Sequence, residues 1–180
     1  MTGQKPNEGH YSLRCGVTIY PAQDQAINQH LTSLLQKTPA KFCLLCDVTG
    51  QVISAKGNHT NLDLVALGSL IAGDLAASQE IARLTNEYQD YQMVLREGQQ
   101  THTFICEAGH YLALLVQISN DIPLGWARML ITQSARQLAQ IMAETPPETQ
   151  NLQSPVDPLF DQETDLPELF SEALDDLWLE

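Results

Sequence analysis

Basic residues are scarce in this sequence, and their distribution is uneven. The chain has 9 Lys and Arg against 22 Asp and Glu, for a formal net charge of −13. Residues 1–143 carry 11 acidic residues and all 9 basic ones, whereas residues 144–180 carry 11 acidic residues and no basic one. Because there is no basic stripe to displace counterions from phosphates, we expect no binding to nucleic acid or to anionic membrane surfaces.

Long apolar runs are also missing. Runs such as Tyr111–Val116 reach only the length of a strand, whereas a bilayer span needs about 18 or more apolar residues. Residues 1–10 are polar and lack the apolar stretch of a secretory signal. We therefore expect no membrane insertion and a cytoplasmic location.

The motifs of common catalytic centres are absent as well. The chain has no glycine-rich loop followed by Lys-Ser/Thr, no Gly-x-Ser-x-Gly elbow and no His-Glu-x-x-His pair. We expect no catalytic residue, no cofactor and no metal, which favours an interaction protein. An arginine could still serve as a finger on a GTPase-bound phosphate, although surface or ion-pairing roles are the simpler interpretation. The candidates are Arg14, Arg83, Arg96, Arg128 and Arg136.

The cysteine pattern predicts buried, reduced thiols. Cys43, Cys46 and Cys106 lie in apolar, strand-like segments. Cys43 and Cys46 have CxxC spacing, but residues three apart in a strand point to opposite faces. A thiol or metal site would need Cys106 or His102 to align with one of them.

Apolar periodicity predicts one α/β sandwich around an antiparallel sheet, with the order α-β-β-α-β-β-β-α. Thr60 or Asn61 is expected to cap the second helix and Asp121 the third. For Tyr11–Tyr20 the sequence leaves two alternatives, an extra edge strand or an ordered arm. The predicted helices are Ala22–Lys37, Leu62–Asn86 and Leu124–Ala143, and the strands are Lys41–Cys46, Gln51–Lys56, Tyr88–Arg96, Gln99–Glu107 and His110–Ile118.

These elements divide the chain into four parts. Residues 1–20 form an N-terminal arm and residues 21–144 the folded domain. The prolines and polar residues of 145–158 predict a disordered linker. Residues 159–180 are expected to form an acidic amphipathic helix that docks on its own domain or on a basic partner, the alternative being a disordered solubilising tail. The apolar face of this tail comprises Leu166, Leu169, Phe170, Leu174, Leu177 and Trp178.

The middle helix has two different stripes. Leu64, Leu67, Ile71 and Leu75 recur on one face, which predicts burial. A second stripe is made of small residues, and it would suit close packing either against another helix or against the sheet of the same molecule. Its members are Ala66, Ser69, Gly73, Ala76 and Ala77.

Four segments of the chain resemble the Roadblock/dynein light chain family, in particular its bacterial MglB-like branch. The similarity covers about two-thirds of the chain, and its specificity lies in the order and spacing of the segments. They are Cys46–Ile53 with the following Gly57, Leu64–Ala77, Arg96–Gly98 and Pro123–Arg128.

This resemblance implies a roadblock-type sandwich, with a five-stranded antiparallel sheet, one helix on one face and two on the other. It also implies a homodimer in which the middle helices lie side by side and the third strands pair across the two-fold axis. The interface would then contain the small stripe together with Tyr91, Met93 and Leu95.

The family's usual partner is a Ras-like small GTPase, bound on the face of the middle helices. Family members act as GTPase-activating proteins or as scaffolds, and the bacterial activators resemble this chain in lacking an evident arginine finger. The alternative is a scaffold that recruits a larger complex through its acidic tail, with no GTPase involved.

Overall fold

The computed structural model describes residues 9–86 and 93–144. The predicted linker 145–158 and tail 159–180 lie outside these residues. The described helices are α1 (Pro21–Lys37), α2 (Leu64–Thr85) and α3 (Leu124–Ala143). The described strands are β1 (Tyr11–Ser12), β2 (Thr18–Ile19), β3 (Ala40–Asp47), β4 (Val52–Gly57), β5 (Met93–Glu97), β6 (Thr101–Ala108) and β7 (Leu112–Ser119).

Five strands form one antiparallel sheet in the order β4-β3-β7-β6-β5. The central strand β7 is buried on both faces from Leu112 to Val116, as its continuous apolar sequence predicts. β4 and β5 are the two edges of the sheet. The predicted fold class and element order are confirmed.

Each face of the sheet packs against a different helical layer. On one face, α1 and α3 contribute Ile27, Leu31, Ile131 and Leu138 to a large core. On the other face, α2 alone contributes Ile71 and Leu75, which pack among sheet residues. The sandwich therefore has two helices over one face and a single helix over the other.

Two predicted helix caps are wrong, because the local turns use the chain differently. Leu62 N–H donates to His59 O, so this turn ends before α2 begins, and Asp63 takes the cap position. Its Oδ1 accepts from the N–H groups of Val65 (3.1 Å) and Ala66 (3.0 Å). At α3 the cap is Pro123, and Asp121 accepts from Ser119 Oγ instead of capping.

Gln23 ties the two helices of the same layer together. Its side chain is buried near the start of α1, and its Nε2 donates to Ile141 O (3.2 Å) and Glu144 O (3.0 Å) at the end of α3. Carbonyls at a helix end have no partner within the helix, so this amide satisfies them. The contact joins positions that are more than a hundred residues apart in sequence.

The segment before α1 is a separate two-stranded hairpin of β1 and β2. Leu13 and Ile19 are buried in the core of the α1/α3 layer, so the hairpin is part of the packed domain. Asp47 Oδ2 accepts from Cys15 N–H (3.2 Å), and Gln51 Oε1 accepts from Arg14 N–H (2.8 Å). The hairpin is thus anchored to the β3–β4 turn.

Candidate functional site

α2 exposes most of its apolar surface. Its buried residues are Gly68, Ile71 and Leu75, whereas the side chains of Val65 and Leu70 are 72% and 69% exposed. Ile81 and Leu84 are exposed in the same way toward the end of the helix. Contiguous apolar surface of this kind marks a contact site in proteins that fold in water.

The same feature appears in the hydropathy of the helix. By length and composition alone, α2 would suffice to cross a membrane, with a mean hydropathy of 1.3 over a window that is only 17% buried. The sequence prediction considered only uninterrupted apolar runs, and therefore did not detect this helix. Ile71 and Leu75 pack on the sheet, which makes α2 an integral layer of the sandwich.

The small stripe lies on this exposed surface. Ala66, Ser69, Gly73, Ala76 and Ala77 are all exposed. A Cβ built at Gly73 would meet nothing within 4 Å. The stripe is therefore exposed on the single copy and is not part of the buried core.

Close contact between the β3–β4 turn and α2 positions the helix. Gly50 adopts φ +88°, which favours glycine, and a Cβ there would lie 2.8 Å from Ser69 Cα and 2.9 Å from Gly68 O. A Cβ at Gly68 would in turn collide with Gly50 O. Two glycines facing each other thus allow the turn and the helix backbone to touch.

Strand β5 forms one edge of the sheet, and its Arg96 reaches Asp74 of α2. It pairs with β6 alone among the described strands. Met93 and Leu95 are half-buried and pack toward the α1/α3 core, while Val94 packs toward α2. Tyr91, the third interface residue predicted in this strand, lies outside the described residues.

A groove of about 570 Å³ runs between α2 and the sheet beside β5 and β6. Leu67, Leu70, Ile105 and Leu115 give it apolar walls. A single ion pair lies within it, formed by Arg96 Nη2 of β5 and Asp74 Oδ1 of α2 at 2.9 Å. The Asp74 side chain is 20% exposed and that of Arg96 is 64% exposed.

The other flank of α2 borders a smaller hollow of about 100 Å³. It lies between the helix and the turns that join β3 to β4 and β6 to β7. Gln79 Nε2 donates to Glu107 Oε1 beside it, and Val48 and His110 complete the lining. Exposed Tyr111 adjoins Val48 through the backbone hydrogen bond from Val48 N–H to Tyr111 O (3.0 Å).

The cysteines of the CxxC pair lie on opposite faces of β3, as predicted. Cys43 belongs to the α1/α3 core, together with Cys106, and Cys46 belongs to the α2 core. Burial raises the pKa of Cys43 to about 11 and the pKa values of Cys46 and Cys106 to about 12. Within residues 9–86 and 93–144, no three His, Cys, Asp or Glu side chains are grouped to hold a metal.

One histidine makes a polar contact between helices. His30 Nε2 lies 2.7 Å from Ser134 Oγ, in the interface of α1 and α3. Burial lowers the pKa of His30. Ser134 is itself buried, so this contact joins the two helices.

The arginines on the side of α2 are ion-paired. Arg83 Nη2 lies 2.6 Å from Glu80 Oε1, and Arg96 bonds Asp74. Arg14 lies in the N-terminal hairpin, and Arg128 and Arg136 lie on α3. The predicted ion-pairing role is therefore observed for Arg83 and Arg96.

Sequence reasoning missed the polar part of this surface. Asp74 is the only charged residue between Leu64 and Gln79, and this isolation was the available signal. Its pairing with Arg96 joins residues 22 apart, on elements whose relative placement depends on the fold. The large exposed residues Val65 and Leu70 were also missed, because they lie outside both stripes.

The solved structures that match this chain in fold include three of MglB. MglB of Myxococcus xanthus is 30% identical with a TM-score of 0.61, and the match covers 66% of this chain and 95% of that one. The gliding protein MglB from Thermus thermophilus is 28% identical with a TM-score of 0.62, covering 71% and 96%. An MglB with a tetrameric arrangement is 27% identical with a TM-score of 0.62, covering 69% and 93%. No family model and no curated protein matches the chain.

Proposed function

The chain belongs to the Roadblock/dynein light chain family, in its MglB-like branch, and from this premise we propose that it is a homodimeric, non-enzymatic regulator of a Ras-like small GTPase. The observation that carries the proposal is the exposed apolar face of α2. Burying apolar surface contributes roughly 25 cal/mol per Å² to association, so this face favours a protein partner. We place the protein and its partner in the cytoplasm.

The homodimer would use the inner part of this surface and the free edge of β5. Side-by-side α2 helices could approach closely at the small stripe of Ala66, Ser69, Gly73, Ala76 and Ala77. An unpaired edge strand such as β5 is a template for pairing with another strand. Met93 and Leu95 would lie at that junction, whereas Tyr91 lies outside the described residues. The tetrameric arrangement of one solved MglB is consistent with self-association in this branch.

The GTPase would then bind across the two α2 helices, on apolar residues that the dimer leaves exposed. Val65, near the start of α2, is 72% exposed and close to Leu62, which is 45% exposed. Arg83 and Arg96 are engaged with carboxylates, which supports an activator that repositions the GTPase's own catalytic groups. Direct stabilisation of phosphate by an arginine finger is less consistent with these pairs.

The test is binding of the purified full chain to a Ras-like GTPase from the same cell, in its GDP and GTP states. Calorimetry should give saturable binding to one state with one GTPase per dimer, and a hydrolysis assay distinguishes activation from recruitment. Val65→Asp should weaken binding at least tenfold. Met129→Asp, a 59% exposed apolar position on α3, is the matched control and should not change it. Absence of binding in both nucleotide states would refute the proposal.

A second candidate is a scaffold that recruits a complex through residues 159–180. Its support is the sequence of the tail, which intersperses apolar residues such as Phe170 and Trp178 with acidic ones. Deletion of residues 159–180 distinguishes the two functions. GTPase binding should largely survive the deletion if α2 carries it, whereas tail-mediated recruitment should be lost.

A further inference from the structure

Asp74 is an unusual residue for the place it occupies. It is the only charge along sixteen otherwise apolar, small or neutral positions of α2, and it lies next to Gly73 of the small stripe. Its side chain points into the groove between α2 and the sheet. Carboxylates are rarely buried unless they are paired and hydrogen-bonded.

Only one oxygen of this carboxylate accepts a hydrogen bond from the described residues of one copy. Oδ1 accepts from Arg96 Nη2 at 2.9 Å. Oδ2 is buried and accepts no hydrogen bond from any of the described residues. A buried acceptor without a donor is unfavourable, so this oxygen favours a further donor beyond the described residues of one copy.

Arg96 is a donor of the required kind. Its guanidinium offers five N–H groups in a planar fork, and its side chain is 64% exposed. It projects from β5, the edge strand at which the proposed homodimer continues the sheet. In a two-fold interface each group occurs twice about the axis, so a second Arg96 enters with the second copy.

We propose that Arg96 of each copy donates to Asp74 of the other copy, closing a network of two arginines and two aspartates across the dimer. The occupant of the groove is thus a second copy of this chain, and the inference rests on the homodimer in the proposed function. The network makes pairing selective, because a related chain that lacks either residue leaves a charge buried without its partner. Asp74 and Arg96 are the specificity-determining residues of the interface.

Complementary charge reversals test the network in the full chain. Asp74→Arg gives a copy with two cations at the junction, and Arg96→Asp gives a copy with two anions. Each variant alone should self-associate at least tenfold more weakly than the unmodified chain in sedimentation equilibrium. An equimolar mixture of mass-labelled copies should form heterodimers of near-native affinity in native mass spectrometry. Asp121→Arg and Arg128→Asp carry the same charge changes in the α3 region and should leave self-association unchanged.

The mixture separates contacts between copies from contacts within one copy. If Arg96 bonds only the Asp74 of its own chain, mixing brings no recovery, because each variant keeps its internal repulsion. Asp74→Asn and Arg96→Gln repeat the test without reversed charges, should a reversed copy fail to fold. Their mixed dimer retains one Arg96–Asp74 contact between copies and should exceed the statistical share of about one half.

Failure of the homodimer and failure of the Arg96–Asp74 network give different results. An unmodified chain that stays monomeric at micromolar concentration overturns the homodimer itself. A stable unmodified dimer whose variants show neither weakened self-association nor preferential mixing overturns the network alone.

Discussion

Three backbone N–H groups and one hydroxyl donate to the carboxylate of Asp47. The donors are Cys15 N, Thr49 N, Thr49 Oγ1 and Gln51 N, at 2.7 to 3.2 Å. Burial raises the pKa of Asp47, but these hydrogen bonds outweigh it and hold the pKa below its ordinary value. The ionised form is therefore favoured in the folded protein.

Asp47→Asn should lower the free energy of unfolding by about 1–3 kcal/mol at pH 7, since the amide replaces an accepting oxygen with a donor. A depressed pKa contributes stability above the unfolded pKa of about 4, and this contribution is lost as the pH falls through the folded value. The difference between the two proteins should therefore shrink below about pH 4. Urea unfolding across this range measures it, with exposed Asp121→Asn as control. A difference that grows toward acid would contradict this account.

Gly68→Ala tests the contact between the β3–β4 turn and α2. The added methyl would meet Gly50 O and Val52 Cγ2, so one of the two backbones has to move. We expect a loss of about 1–3 kcal/mol in the free energy of unfolding, as for other overpacked positions. Gly125→Ala in α3, where a Cβ meets nothing within 4 Å, should leave it unchanged or raise it by up to about 1 kcal/mol. Equal effects at the two glycines would contradict the close approach.

Among single residues, Asp47 shows which contacts a local sequence pattern specifies and which it does not. That Asp47 bonds the backbone of its own turn follows from its position before Thr49 and Gly50. The bond to Cys15 does not follow, because it joins residues 32 apart on segments whose packing no local pattern specifies. That Asp74 Oδ2 has no donor among the described residues could not be predicted, for the same reason.

On the scale of secondary structure, α2 packs one side on the sheet and leaves its small stripe exposed. Gly73→Leu would put a large side chain into the small stripe, where Gly73 is exposed within one copy. Folding of the single copy should be little affected, whereas self-association should weaken at least tenfold because the helices can no longer approach closely. Sedimentation equilibrium measures this, with Gly125→Leu in α3 as the matched change. If the Gly73→Leu variant self-associates as strongly as the unmodified chain, the small stripe is not part of the interface.

Apolar periodicity predicted α1, β3, β4, α2, β6, β7 and α3 to within two residues at every end. It succeeded because the helices bury one face at regular spacing and the central strands β3 and β7 are continuously apolar. The predicted caps of α2 and α3 were wrong because several polar residues lie in each preceding turn. The backbone geometry of the turn decides which residue takes the cap position. The edge position of β5 came from the family resemblance, since its own alternation cannot specify which strands are its neighbours.

For the whole molecule, a folded state that is completed by a second copy should depend on protein concentration. Dimerisation stabilises the folded state by mass action, so the Tm should rise by several degrees from 1 to 100 µM, at roughly 2–4 °C per kcal/mol. Calorimetry or circular dichroism at several concentrations measures this, and Gly73→Leu should flatten the dependence. A Tm of the unmodified chain that is independent of concentration would argue for a self-sufficient single copy.

The sheet is covered by two helices on one face and by one on the other, and this has a consequence for the lifetime of the protein in the cell. Chaperones and proteases act on chains that display apolar segments, and a lone copy displays α2. In the proposed homodimer, assembled copies cover the small stripe of that helix and should be long-lived, while surplus single copies should turn over rapidly. Because the proposed homodimer needs two copies, halving the rate of synthesis should reduce the steady-state level of this protein by more than half.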